Sequence, residues 1–240
     1  LPVFAVYSTF LQRGYDQIIH DAAMQHMKVV LAIDRAGVVG EDGETHQGIF
    51  DTAFLNEIPE VTIFAPSYFQ EMKPCFEKAL YHCSGVAAVR YPRGKEGYRP
   101  ANFLSSGNAF DLYGDPGAEL LLVTYGRLFS CACLAKESLH KLGIEICILK
   151  LNRIKPIADE CLAACEGKRH VFFFEEGILS GGIGETFGYL LQKSHYEGEF
   201  HLTAIEDAFV PQASVKSSLC RFCLDEKGME NIIYGVENRE

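Results

Sequence analysis

Short apolar runs, recurring between stretches of helical periodicity, constrain this chain more than any other feature. Pro2–Tyr7, Lys28–Ile33, Val61–Ala65 and Val86–Tyr91 each read as a strand. The residues between the first two place Leu11, Tyr15, Ile18, Ile19, Ala22 and Ala23 on one helical stripe over Leu11–Gln25. Pro66-Ser67 suits a helix start, with the helix running to about Cys83. Strands that are apolar throughout are buried on both faces, and strands alternating with helices give a mostly parallel sheet covered by helices. The expected fold class is therefore α/β.

The same alternation restarts in the second half. Ala118–Tyr125, Glu145–Leu149, His170–Phe174 and Phe200–Ile205 read as strands. Helices are expected from about Phe129 to Leu142, around Ile157–Cys165, from Gly184 to about Gln192, and twice at the end. Between the halves, Gly97, Pro100, Gly107, Gly114, Pro116 and Gly117 break any periodicity. The expected organisation is a domain over residues 1–95, a linker over 96–117 and a second, smaller α/β domain over 118–240.

Composition narrows the function classes. A net charge of -10 on 240 residues argues against general nucleic-acid or membrane binding, which needs clustered cations. No apolar run reaches the roughly 18 residues that span a bilayer, and no stretch reads as a signal peptide. Nine cysteines, an odd number, fit free thiols in a reducing cytoplasm. Cys220-Arg-Phe-Cys223 is the one C-x-x-C spacing, lies in a helix-like segment and lacks a second pair, so no residues are assigned as metal ligands.

Chemistry-bearing residues gather where strands end. After Val29–Ile33 comes a loop, residues 34–48, with four glycines, the cation Arg35, the carboxylate Asp42 and the imidazole His46. In open α/β proteins ligands bind beyond the carboxyl ends of strands, so this reads as an active-site loop or, more simply, as a solvated turn. Tyr7-Ser-Thr-Phe-Leu-Gln-Arg13 occupies the end of the first strand; Phe10 is either a core residue or a stacking platform, and Ser8 or Thr9 either caps the helix or does more. Arg90-Tyr-Pro-Arg-Gly94 ends another strand, and Arg35 with Arg93 makes either an anion pocket or a pair of surface salt bridges. Gly181-Gly-Ile-Gly184 with Gly188 departs from the dinucleotide fingerprint and reads as a tight helix start, with a phosphate site as the alternative.

Taken together, Tyr7-Ser-Thr-Phe-Leu-Gln-Arg13, Asp34-Arg-Ala-Gly37, Asp42-Gly43, Thr45-His-Gln-Gly48 and Arg90-Tyr-Pro-Arg-Gly94 resemble the 1-deoxy-D-xylulose-5-phosphate synthase family. That family is a branch of the transketolase-like thiamine diphosphate enzymes. Glu175-Glu-Gly177, Gly181-Gly-Ile-Gly184 and Leu224-Asp-Glu-Lys-Gly228 extend the resemblance through the second half. It implies a partial pyrimidine-binding domain followed by a transketolase C-terminal domain, in a transferase that condenses pyruvate with glyceraldehyde 3-phosphate and releases carbon dioxide. The product feeds isoprenoid, thiamine and pyridoxal synthesis. Carried over residue by residue, the resemblance has Phe10 stacking on the aminopyrimidine and Arg13 shaping the cofactor site. Tyr7, Arg35 and Arg93 hold the acceptor phosphate, Asp42 bonds an acceptor hydroxyl, and His46 is the catalytic residue over the reacting carbons. It further implies a cytoplasmic homodimer that uses thiamine diphosphate and magnesium.

The first residue is not Met, and the chain opens on a strand. The glutamate that bonds the aminopyrimidine and the diphosphate-binding domain with its magnesium motif are accordingly expected upstream, and residues 1–240 alone are expected to be inactive. The alternatives are a non-catalytic domain pair acting as an assembly partner, and a related transketolase or dehydrogenase subunit.

Overall fold

The computed structural model describes residues 1–238. Its first sheet has the order β1-β2-β4-β3-β8. β1 (Val3–Tyr7), β2 (Val30–Asp34), β4 (Ala87–Arg90) and β3 (Thr62–Phe64) run parallel. β8 (Arg153–Lys155) closes the sheet antiparallel to β3. The second sheet has the order β10-β9-β6-β7-β5. β10 (Glu199–Ile205), β9 (His170–Ile178), β6 (Leu120–Tyr125) and β7 (Ile146–Leu151) are parallel, and β5 (Phe110–Tyr113) is antiparallel to β7.

The helical stripe expected over Leu11–Gln25 buries Leu11 and Ile18, but it is not one regular helix. α1 (Ser8–Leu11) passes through a 3-10 turn at Gln12–Gly14 into α2 (Tyr15–Gln17) and then a π-helical stretch, Ile18–Ala23. Gly14, a poor helix former, sits at the break. α3 (Asp51–Glu57) follows the glycine-rich loop. α4 (Phe69–Tyr81) begins two residues past the expected Ser67 cap, because Ser67 donates its backbone N–H to Glu71 Oε2 at 2.7 Å. In the second half lie α5 (Leu128–Lys141), α6 (Asp159–Ala163), α7 (Ile183–Lys193), α8 (Val215–Arg221) and α9 (Glu226–Glu237).

Two strands escape the sequence pattern. β5 lies inside the stretch expected to be a linker, and β8 comes from the second half yet extends the first sheet. Lys155 on β8 also reaches the last carbonyls of α3, donating to Leu55 and Asn56 at 3.1 and 2.7 Å and to Ile58. Burial depresses that ammonium to about 8. One apolar core joins the halves, running from Leu31, Ile33, Leu55 and Ala88 to Leu121, Val123, Leu149 and Phe173. The other face of the second sheet packs Leu122, Ile148, Phe172 and Phe174 against residues of α5 and α9.

Candidate active site

Parallel pairing sets the site. Tyr7 is in register with Asp34, and Ile33 with Arg90, so three adjacent strands end together. Their carboxyl ends present Tyr7, the Asp34-Arg35 pair and the Arg90–Arg93 turn to one rim. Arg35 adopts a left-handed backbone (φ 58°), which turns the chain sharply out of β2. Its guanidinium carbon lies 3.7 Å from the Tyr7 ring centroid. Arg35 Nε donates to Asp42 Oδ2 at 3.3 Å, and Arg35 Nη1 pairs with Asp34. Arg93 Nη1 pairs with the other Asp42 oxygen. The Arg93 hydrogen bond, with Arg35 adding to it, holds the Asp42 carboxyl below the usual carboxylate range.

Phe10 is 42% exposed. Its ring stacks on Tyr7 (5.5 Å, 14°) and meets the edge of His46 (5.4 Å, 74°). A ring so exposed is not a core residue. Ser8 and Thr9 do not cap α1: Ser8 is buried, and Thr9 Oγ1 donates to the Thr45 carbonyl at 2.8 Å, tying the helix to the loop. His46 Nδ1 is 3.0 Å from Thr45 Oγ1, which leaves Nε2 available. Arg13 is exposed in the 3-10 turn after α1 and makes no ion pair with a described residue.

The loop is anchored rather than loose. Gly37 and Gly48 exchange both backbone hydrogen bonds, at 2.6 and 2.8 Å. A Cβ on Gly48 would stand 2.1 Å from the Arg35 carbonyl oxygen, and one on Gly37 would stand 2.4 Å from Glu176 Cδ. The second half supplies the rest of the anchor. Glu176 Oε1 accepts the Val38 N–H at 2.7 Å, while Arg127 pairs with Glu176 and reaches the Val38 carbonyl. Sequence reading missed this brace, because Arg127, Glu176 and Val38 lie on separate segments with no shared spacing.

Two further features resolve differently from their appearance in sequence. Arg90, unlike Arg93, points away from the rim: it is 5% exposed and forms a two-bond ion pair with the fully buried Asp51. At the start of α7, the amides of Ile183 and Gly184 donate to Glu175 at 3.1 and 2.8 Å. The amides that a phosphate would use are thus engaged by the chain's own carboxylate. Burial raises the Glu175 carboxyl above its ordinary value, against the Tyr125 hydrogen bond.

Comparison with known proteins identifies both halves. The family model for the transketolase pyrimidine-binding domain matches residues 1–97, and that for the transketolase C-terminal domain matches residues 113–229. The 1-deoxy-D-xylulose-5-phosphate synthase of Clostridium botulinum (strain Alaska E43 / Type E3) is 40% identical over 241 residues, covering 99% of this chain and 38% of the relative. That of Pelotomaculum thermopropionicum is 39% identical, covering 99% of this chain and 37% of the relative. The chain thus spans under two-fifths of the length of these relatives. A split-gene transketolase described as an inactive β4 tetramer superposes with a TM-score of 0.81 at 20% identity, covering 98% of this chain and 75% of that one. With both halves matched in order, the chain belongs to the transketolase family, of which it carries the pyrimidine-binding and C-terminal domains.

Proposed function

We propose that this chain is the pyrimidine-binding and C-terminal portion of a 1-deoxy-D-xylulose-5-phosphate synthase, which condenses pyruvate with glyceraldehyde 3-phosphate and releases carbon dioxide. The observation that carries this reading is the convergence of Tyr7, Arg35, Asp42 and Arg93 beside Phe10 and His46. The names of the curated relatives support it. Two guanidiniums and a phenol suit a phosphate dianion. In the present arrangement the Asp42 carboxylate lies between the guanidiniums; an incoming phosphate takes them over, and Asp42 turns to an acceptor hydroxyl. His46 Nε2 is placed to hold or move a proton at the reacting carbons.

The exposed Phe10 ring, backed by Tyr7, fits a heteroaromatic ring laid on it, as the aminopyrimidine of thiamine diphosphate would be. When bound, that cofactor supplies the electron sink for decarboxylation. Arg13 would border its site. Its diphosphate and magnesium would be held by an upstream domain of the same enzyme. In this reading the whole enzyme is a cytoplasmic homodimer serving isoprenoid, thiamine and pyridoxal synthesis.

Steady-state kinetics of the complete enzyme test the reading. Arg35→Ala or Arg93→Ala is expected to raise KM for glyceraldehyde 3-phosphate about ten- to a hundredfold, the loss of one charge-assisted bond, with KM for pyruvate little changed. Equal effects on both substrates, or turnover only with another acceptor, would overturn it. Phe10→Ala is expected to leave the melting temperature nearly unchanged, because the ring is exposed. Thiamine diphosphate affinity should fall by roughly 1–3 kcal/mol, the worth of a base stacked on an aromatic side chain. Unchanged cofactor affinity in a calorimetric titration would remove Phe10 from the site.

A further inference from the structure

At the opposite end of the second sheet, β9 and β10 begin side by side. Their parallel register pairs His170 with Glu199 and Phe172 with His201. Alternation along a strand then puts His170, Glu199 and His201 on one face. His170 Nδ1 lies 3.0 Å from His201 Nε2, and Glu199 Oε2 lies 3.7 and 3.6 Å from the two nitrogens. A four-coordinate zinc with bonds of about 2.0–2.1 Å has neighbouring ligand atoms roughly 3.3–3.5 Å apart. The three observed separations bracket that edge length.

The ligand set is also held in place. His170 is buried, and Phe172 stacks on the His201 ring (4.7 Å, 16°), which fixes its plane. Glu199 is mostly exposed and borders an open cleft of about 720 Å³, through which an ion and a water can enter. From these positions we propose that His170, Glu199 and His201 form a binding site for a divalent transition metal of the zinc type, with one coordination position left to water. Two imidazoles and one carboxylate suit zinc, cobalt or nickel rather than magnesium or calcium, which take all-oxygen shells. Coordination through His170 Nδ1 leaves the ring proton on Nε2. The Arg169 guanidinium, 3.4 Å from Nε2 and paired with Glu119 and Glu237, then shifts toward those carboxylates. The spacing gave no sign of this site: a lone His170 and a Glu-x-His sequence 29 residues on meet only through strand pairing.

Cobalt(II) and zinc titrations of the full chain test the proposal. Cobalt is expected to bind at one equivalent with the intense visible absorption of four-coordinate geometry, and zinc should displace it and raise the melting temperature. His201→Ala and Glu199→Gln, at the two more exposed positions, should each weaken binding by about a hundredfold or more, since even outer-shell partners are worth about 10–100-fold. Affinity equal to that of the unaltered chain in both variants would overturn the site, as would the absence of binding at micromolar metal. Loss of binding in a Cys220→Ser, Cys223→Ser variant would overturn it too, by assigning the metal to the exposed thiols.

Discussion

Arg90→Ala is expected to destabilise this chain by roughly 3–5 kcal/mol, the cost of removing one partner from a buried ion pair. For a domain of this size that lowers the melting temperature by about 6–20 °C. Arg90 Nε and Nη2 donate to the two Asp51 oxygens at 2.9 and 3.2 Å, and Asp51 is fully buried. Burial opposes the guanidinium charge, but the Asp51 carboxylate more than offsets it, and the group is held above its usual value. The pair begins a polar chain between the halves. The guanidinium lies 5.4 Å from the Tyr125 ring, and the Tyr125 hydroxyl donates to Glu175 at 2.6 Å. Glu175 then accepts the first amides of α7. Asp51→Ala should cost a similar amount, because it strands the arginine instead. An Arg90→Met, Asp51→Leu double variant should recover most of the loss, since it leaves no buried charge. Thermal melts in which the double variant is as unstable as the sum of the singles would refute the coupling.

The contrast between Arg90 and Arg93 shows what the sequence made legible and what it did not. Their strand was plain from Val86–Tyr91, and so was the clustering of polar residues at its end. Which arginine faces the rim depends on Asp51, a helix residue 39 positions away, and no local pattern encodes that partner. The same reason hides β8: three residues before Pro156 are too few to establish a period, and their partner strand lies in the other half. β5 was hidden by the glycines and prolines around it, which read as a linker. Tyr7, Arg35, Asp42 and Arg93 were legible because parallel strands of similar length must end at one edge. Arg13 was named with them on its motif alone, and the structure leaves it in the solvent-facing turn after α1. Phe10 stood open in the sequence, and its exposure excludes the core reading.

The brace on the glycine-rich loop carries the second large effect. Glu176→Ala should cost roughly 3 kcal/mol, because it leaves Arg127 unpaired and the Val38 N–H without an acceptor in a buried setting. It should also loosen the segment that positions Arg35, Asp42 and His46. Displacing catalytic groups by about 1 Å can reduce turnover about a hundredfold, so kcat of the complete enzyme should fall by that order. Hydrogen exchange on the chain itself separates the brace from general destabilisation. In Glu176→Ala the amides of Val38 and Val39 should exchange far faster, while those of β7, separated by β6 from the strand that carries Glu176, change only with global stability. Glu176→Gln keeps an acceptor for Val38 but loses the charge pair with Arg127, so it should retain part of the Val38 protection. Gly37 and Gly48 form the competing anchor, a two-bond bridge at the base of the loop. If exchange at residues 38 and 39 is unaltered in a folded Glu176→Ala variant, that bridge alone holds the loop, and the second half does not position the site.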